Sequence, residues 1–237
     1  MGPASPAPGL LAAGGCLDVP TLTAAYAQTI FPWFNAGEPI LWWSPDPRMV
    51  LAVQDFRLHR SLRKRLRRFQ NDPACAIRID SDFERVIRAC SEAPRSGQSG
   101  TWIGQDMIAA YLDLHAAGHA HSVETWAGGQ LVAGLYCVSV GRAVFGESMF
   151  TRVADGSKIA IAALVAFCRA HGLPLIDCQQ RTPHLASLGA REIPRQQFLD
   201  QVTALSAQPA PASWQFQPVY WNALMPSPLS YAQVDAP

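Results

Sequence analysis

The amino-acid sequence predicts an α+β fold built around one mixed, largely antiparallel sheet. Two observations carry that expectation. Between residues 105 and 205 a helix, a three-strand meander, a second helix, a strand and a last helix succeed one another. Upstream, Leu58, Leu62, Leu66 and Phe69 recur at helical spacing among arginines, so the chain mixes a helical and a two-residue period.

In chain order, residues 1–56 form a small, proline-rich N-terminal domain with one short helix around Pro20–Gln28. Within it, Phe31 to Arg48 holds Trp33, Trp42 and Trp43 among four prolines. That is too much proline for a buried strand and too much aromatic area for an ordinary loop. Residues 57–205 form the expected main domain, which starts with a helix bearing Arg60, Arg63, Lys64, Arg67 and Arg68 on its non-apolar faces. Ser81–Ala93 reads as a helix with Val86, Ile87 and Cys90 inward. Gln105–Ala117 is another, stopped by Gly118. Strands are expected at His121–Trp126, Leu131–Val140 and Ala143–Phe150, with Gly128-Gly129 and Gly141-Arg142 as hairpin turns. Ser157–His171 follows as a helix, Ser157 its N-cap and Gly172 its end. Leu175–Gln179 is a short strand and Pro194–Leu205 the last helix. Residues 206–237, with Pro209, Pro211, Pro218, Pro226 and Pro228, read as an irregular tail.

Composition narrows the class. With 237 residues, 49% hydrophobic and 16% charged, the chain has a sizeable core and the balance of a soluble globular protein. A net charge of +1 says nothing about a polyanionic partner, but seven of the 19 basic residues lie between Arg57 and Arg68. The cysteines at 16, 75, 90, 137, 168 and 178 have neither zinc-site nor Cys-x-x-Cys spacing, which fits a reducing cytosol. No secretory leader and no run of eighteen apolar residues is present, so a cytoplasmic protein with no membrane span is expected. No metal site, phosphate loop or nucleophile elbow is legible. No exposed interface stripe stands out either, so a monomer is expected.

Three groups of residues are candidates for chemistry, each with two readings. Strand alternation puts Phe145, Glu147 and Met149 on one face, and Leu175, Asp177 and Gln179 on one face of another strand. Each strand thus places a carboxylate among apolar residues, where an unpaired charge is costly. The three polar residues either line one pocket or are separately satisfied buried groups. The basic helix is either a solvated face or a phosphate-binding one. The tryptophans, Trp102 included, are either core or platforms for a nucleobase, worth about 1–3 kcal/mol per stacked base.

The motifs resemble one family, the leucyl/phenylalanyl-tRNA–protein transferases. The matching segments run in order: Gly9-Leu-Leu-Ala-Ala-Gly-Gly15, Ile30-Phe-Pro-Trp-Phe34, Ile40-Leu-Trp-Trp-Ser-Pro-Asp-Pro-Arg48 and Gly100-Thr-Trp-Ile103. Then come His119-Ala-His-Ser-Val-Glu124, Phe145-Gly-Glu-Ser-Met-Phe150, Leu175-Ile-Asp-Cys-Gln179 and His184-Leu-Ala-Ser-Leu-Gly-Ala-Arg-Glu-Ile-Pro-Arg195. The resemblance implies a small N-terminal domain on a GNAT-like (acyl-CoA N-acyltransferase-like) C-terminal domain. It implies an aminoacyltransferase that moves Leu or Phe, less readily Met, from aminoacyl-tRNA to the N-terminal Arg or Lys of an acceptor protein. It further implies that the product enters N-degron degradation in the cytoplasm and that no cofactor is needed.

By motif, Asp177 and Gln179 would hold and help deprotonate the acceptor's α-amine, and Glu147 would bind polar groups beside the ester. Met149, Leu135, Tyr111 and Ile176 would form the aminoacyl pocket. Trp33, Trp102 and Tyr26 would grip the terminal adenosine, and Arg60, Arg63, Lys64, Arg67 and Arg68 the acceptor-stem phosphates. The chain departs from the family at Tyr26-Ala-Gln-Thr29, where an Arg-Gly pair is usual, and at Cys16, where Asp is usual. Two other readings compete. An acyl-CoA N-acyltransferase needs a glycine-rich pyrophosphate loop, where this chain has Thr151-Arg-Val-Ala-Asp-Gly-Ser-Lys158. A non-catalytic RNA-binding module leaves Glu147, Asp177 and Gln179 without a purpose.

Overall fold

Two sheets divide the chain in a computed structural model that describes residues 7–93 and 101–225. Gly100 of the Gly100–Ile103 motif and the tail beyond residue 225 lie outside the described residues. The first sheet is small and antiparallel: β1 (Leu10–Ala13), then after helix α1 (Val19–Ala27) β2 (Phe31–Pro32) and β3 (Leu41–Trp43), with β3 in the middle. Asp18 caps α1 by accepting from the Thr21 amide at 2.8 Å, and Pro20 occupies the first turn, where no amide is needed. These strands are two to four residues long and hemmed by proline, so they leave no periodic trace.

The second sheet has seven strands. Its members are β4 (Arg48–Ala52), β5 (Cys75–Ile79), β6 (Ala120–Ala127), β7 (Gln130–Val140), β8 (Ala143–Thr151), β9 (Leu175–Gln179) and β10 (Arg191–Ile193). Their order is β10-β4-β9-β8-β7-β6-β5, and every pairing is antiparallel except β8 with β9. The meander and the mixed, largely antiparallel sheet agree with the sequence reading. β4 escaped that reading because Arg48 to Leu51 are all buried, which erases alternation. β5 alternates but is short and lies at the sheet edge.

Helices cover both faces. Along β7, Tyr136 and Val138 pack with α1, α3 (Phe83–Glu92), α4 (Gln105–Ala116) and α7 (Arg195–Ser206). Leu135 and Cys137 pack with α2 (Arg60–Asn71) and α5 (Gly156–His171). The ten residues from Ile159 to Cys168 are all buried, so α5 needs cover on every side. The tail supplies part of it: Trp214 stacks on Phe167 at 4.6 Å, Trp221 is buried, and Arg169 donates to the Ala223 carbonyl at 2.7 Å. The described tail is irregular over 207–217, as expected, and then turns through a 3-10 helix at Pro218–Ala223.

Two local expectations are corrected. Ser157 makes no capping bond; Asp155 is the N-cap of α5, in a left-handed conformation with φ 63°. Phe145, Glu147 and Met149 do not share a face, because the β7–β8 register shifts between Tyr136 and Cys137. Phe145 therefore packs with α1 and α7, while Met149 packs against the cluster around α5.

Candidate active site

A cavity opens where two parallel strands part. β8 pairs with β9 only at Val144–Ile176 and Phe145–Asp177, although β8 runs on to Thr151. β9 keeps β4 on its other edge as far as Gln179. Gly146 permits the last close approach, since a Cβ there would sit 3.2 Å from the Asp177 carbonyl oxygen. Beyond it lies a cavity of about 440 Å³. Leu135, Met149 and Ile176 give it apolar walls, Trp33 and Trp102 aromatic ones, and Glu147 and Gln179 polar ones. Helix α6 (Pro183–Ser187) adds His184 and Leu185.

Of the two outcomes the strand pattern left open, the structure shows Glu147, Asp177 and Gln179 around one cavity. The Gln179 side-chain amide donates to Glu147 Oε1 at 3.1 Å, and the Tyr111 hydroxyl donates to Oε2 at 3.2 Å. The Tyr26 hydroxyl bonds that of Tyr111 in turn. Burial raises the Glu147 carboxyl to about 7, partly opposed by hydrogen bonds from Tyr26, Tyr111 and Gln179. Burial and the nearby Glu147 charge push both phenols well above their ordinary value, so they stay protonated donors.

The raised carboxyl has a consequence for stability. Glu147 holds its proton up to a higher pH in the folded chain than in the unfolded one. Folded stability is therefore lost as pH rises from the ordinary glutamate range of about 4.3 to beyond 7. The neutral Glu147→Gln is expected to stabilise the protein at pH 8, by up to about 3 kcal/mol, and to change nothing at pH 4. Thermal melts at the two pH values check this.

Asp177 is held differently. Its carboxylate takes Arg48 Nε at 2.8 Å on Oδ1 and Arg48 Nη2 at 2.6 Å on Oδ2, and both side chains are 0% exposed. Oδ1 also accepts the Gln179 amide at 2.8 Å, which fixes Gln179 in a left-handed conformation with φ 59°. Arg48 donates further to the Thr29 carbonyl at 3.1 Å and lies between the Phe31 and Phe198 rings. Asp177 is among the residues that line the cavity, but its side chain is fully buried and turned to Arg48, so it braces Gln179.

The tryptophans divide. Trp42 is buried and its indole donates to the Gly14 carbonyl at 2.8 Å; Trp43 donates to the Trp33 carbonyl at 2.7 Å and meets the Trp33 ring edge-on at 5.7 Å. Trp33, held by that contact, and Trp102 are half-buried on the cavity wall. Tyr26 and Tyr111 are placed otherwise than expected. Both are fully buried, and neither lines the cavity; their hydroxyls serve Glu147 instead. On α2, Leu62, Leu66 and Phe69 are buried, while Arg60, Arg63, Lys64, Arg67 and Arg68 are exposed. Among the described residues these five meet no carboxylate, and Arg65 alone of the helix does, at 3.5 Å from Asp155.

The chain matches the family model described as leucyl/phenylalanyl-tRNA protein transferase over residues 50–203, and the model of that family's N-terminal domain over residues 15–46. The chain belongs to this family of transferases. It is 62% identical to the leucyl/phenylalanyl-tRNA–protein transferase of Polaromonas sp. over 93% of this chain and 86% of that one. The protein of that name from Albidiferax ferrireducens is also 62% identical, over 93% and 87%. That from Leptothrix cholodnii is 57% identical, over 94% and 88%. Sequence reasoning missed Arg48 as the partner of Asp177 and His184 as a wall residue. A lone arginine in the apolar run Arg48-Met-Val-Leu-Ala52 has the same need for a buried counter-charge as Asp177, and that symmetry was the available signal.

Proposed function

We propose that the protein transfers Leu or Phe, and less readily Met, from aminoacyl-tRNA to the N-terminal Arg or Lys of acceptor proteins. Such a product is a substrate for N-degron degradation in the cytoplasm. The observation that supports this most is the cavity itself, which sets an apolar wall, a polar pair and two half-buried tryptophans around one space. In this reading the aminoacyl side chain lies against Leu135, Met149 and Ile176. Such a wall separates apolar side chains by only about 1–3 kcal/mol per methylene, in keeping with several accepted amino acids. The terminal adenosine lies against Trp33 and Trp102, and the acceptor-stem phosphates lie along Arg60, Arg63, Lys64, Arg67 and Arg68.

The ester of an aminoacyl-tRNA is already activated, so a neutral amine attacks it without a cofactor. The protein contributes position, proton management and stabilisation of the oxyanion. We read the main domain as GNAT-like, with the parting of β8 and β9 as its substrate cleft. An acyl-CoA reading is disfavoured by Asp155, a carboxylate at the N-terminus of α5 where a pyrophosphate would need backbone amides.

The test is transfer of radiolabelled Leu from its tRNA to a peptide beginning with Arg, without ATP or CoA. Label is expected in the peptide. Acyl-CoA turnover without such transfer would overturn the reading, and tRNA binding with neither activity would favour a binding module.

A further inference from the structure

We infer that Glu147 is the group that accepts the proton of the attacking amine, and that Asp177 is a positioning residue that never receives it. The inference rests on the transfer reading above and goes beyond it, because the family resemblance would give the amine to Asp177 and Gln179.

The two carboxylates stand in different company. Both Asp177 oxygens are engaged by one buried guanidinium, and Oδ1 also holds the Gln179 amide. Protonating Asp177 would break that fork and leave the Arg48 charge buried without a partner. Among the described residues the Glu147 oxygens meet neutral donors, Gln179 Nε2 and the Tyr111 and Tyr26 hydroxyls. A carboxylate has about four acceptor sites, so lone pairs remain on the cavity side for an incoming ammonium. Glu147 is also half-buried on the cavity wall, whereas Asp177 is 0% exposed.

The other titratable groups around Glu147 are poorer proton acceptors. Tyr26 on α1 and Tyr111 on α4 stay protonated, as described. Cys137 on β7 and Cys178 on β9 are thiols that burial pushes up, so neither is a base near neutrality. Asp177 adds a negative charge that raises Glu147 further, and Arg48 is committed to Asp177. His184 on α6 is the remaining candidate base; its Nε2 is buried with no partner among the described residues, and burial and Lys158 lower it. The match with an α-amine then favours Glu147. An amine of about 7.7–8.0 gives its proton to a carboxyl near 7 at a cost of roughly tenfold or less. A carboxyl at the ordinary value of about 4.3 would make the same step over a thousandfold uphill.

The steps balance. Glu147 carboxylate takes one proton from the acceptor ammonium, and the freed nitrogen lone pair forms the C–N bond to the ester carbonyl carbon. The ester C–O bond breaks with its electron pair on the ribose oxygen, which receives the proton from Glu147. The second nitrogen proton passes to the regenerated carboxylate and then to water. Ammonium and ester thus become amide, alcohol and one released proton.

The experiment is single-turnover transfer from Phe-tRNA to an Arg-initiated peptide, measured from acid to alkaline pH and corrected for ester hydrolysis. Wild type is expected to gain rate through about 7 and to lose it again at alkaline pH, when Glu147 and the amine share no proton to return to the leaving oxygen. Glu147→Gln keeps the shape and one accepting oxygen for Gln179, while its NH2 donates to the Tyr111 hydroxyl in place of accepting from it. It is expected to bind Phe-tRNA normally, to slow transfer about a hundredfold or more, and to follow only the amine's own titration, without an alkaline fall. Tyr111→Phe removes a hydrogen bond that lowers the Glu147 carboxyl, so its acid limb is expected to move to higher pH. An unchanged profile in Glu147→Gln, an unmoved limb in Tyr111→Phe, or loss of the limb in His184→Gln would each overturn the assignment while leaving the transferase reading intact. No transfer by wild type would overturn both.

Discussion

Asp177→Ala is expected to lower the unfolding free energy by about 3–5 kcal/mol and to abolish transfer. The loss comes less from a missing attraction than from what is left behind. Arg48 would keep its charge at 0% exposure, between two phenylalanine rings, with the Thr29 carbonyl as its remaining partner. Arg48→Ala should cost a similar amount by stranding the carboxylate. The double variant Arg48→Met/Asp177→Leu removes both charges together and should recover most of the stability, since buried pairs seldom outdo apolar packing. It should nevertheless stay inactive, because the Gln179 amide loses its acceptor and the left-handed Gln179 backbone its brace. Urea midpoints of the three variants, read beside their transfer rates, separate the two effects. A double variant as unstable as either single one would show that the pair is more than mutual compensation.

The paired substitution Arg63→Ala/Arg67→Ala should leave transfer chemistry intact and weaken tRNA binding. Both arginines are exposed, and among the described residues neither meets a carboxylate, so their charge is free to displace counterions from a phosphate backbone. Two lost contacts on a duplex stem should make the slope of log affinity against log salt shallower by about 1.8. A salt titration of binding reads this directly. Equal affinity at low salt, with an unchanged slope, would reduce the helix to a solvated face. Arg65→Ala is the natural control, because its guanidinium already faces Asp155.

Long, strongly periodic elements were legible in the sequence: α2, α4, α5 and the β6–β8 meander lie within a few residues of where the pattern puts them. What hid was either short or uniformly buried. β2 and β3 have two and three residues between prolines, and β4 shows no alternation because four of its five residues are buried. In the site, the proximity of Glu147 to Gln179 was one of two outcomes left open by two strands each carrying a polar residue among apolar ones. The orientation was not legible, because the register shift at Tyr136/Cys137 turns β8 and only pairing partners reveal such a shift. The tyrosines were misplaced for a related reason. An aromatic with a hydroxyl reads equally as a platform or as a buried donor until its partner is known, and Glu147 is that partner for Tyr111.

The bond between Arg48 and Asp177 joins residues 129 positions apart. β4 finds both its sheet neighbours, β9 and β10, only in the last third of the chain. During synthesis the strand therefore waits, with both edges open and its arginine uncompensated, for on the order of 10 s before either neighbour exists. A nascent chain that ends before Asp177 has the basic helix but not the cavity. On the proposed function, such a chain would carry its tRNA-binding surface before its reactive centre, because Asp177 and Gln179 arrive only with β9.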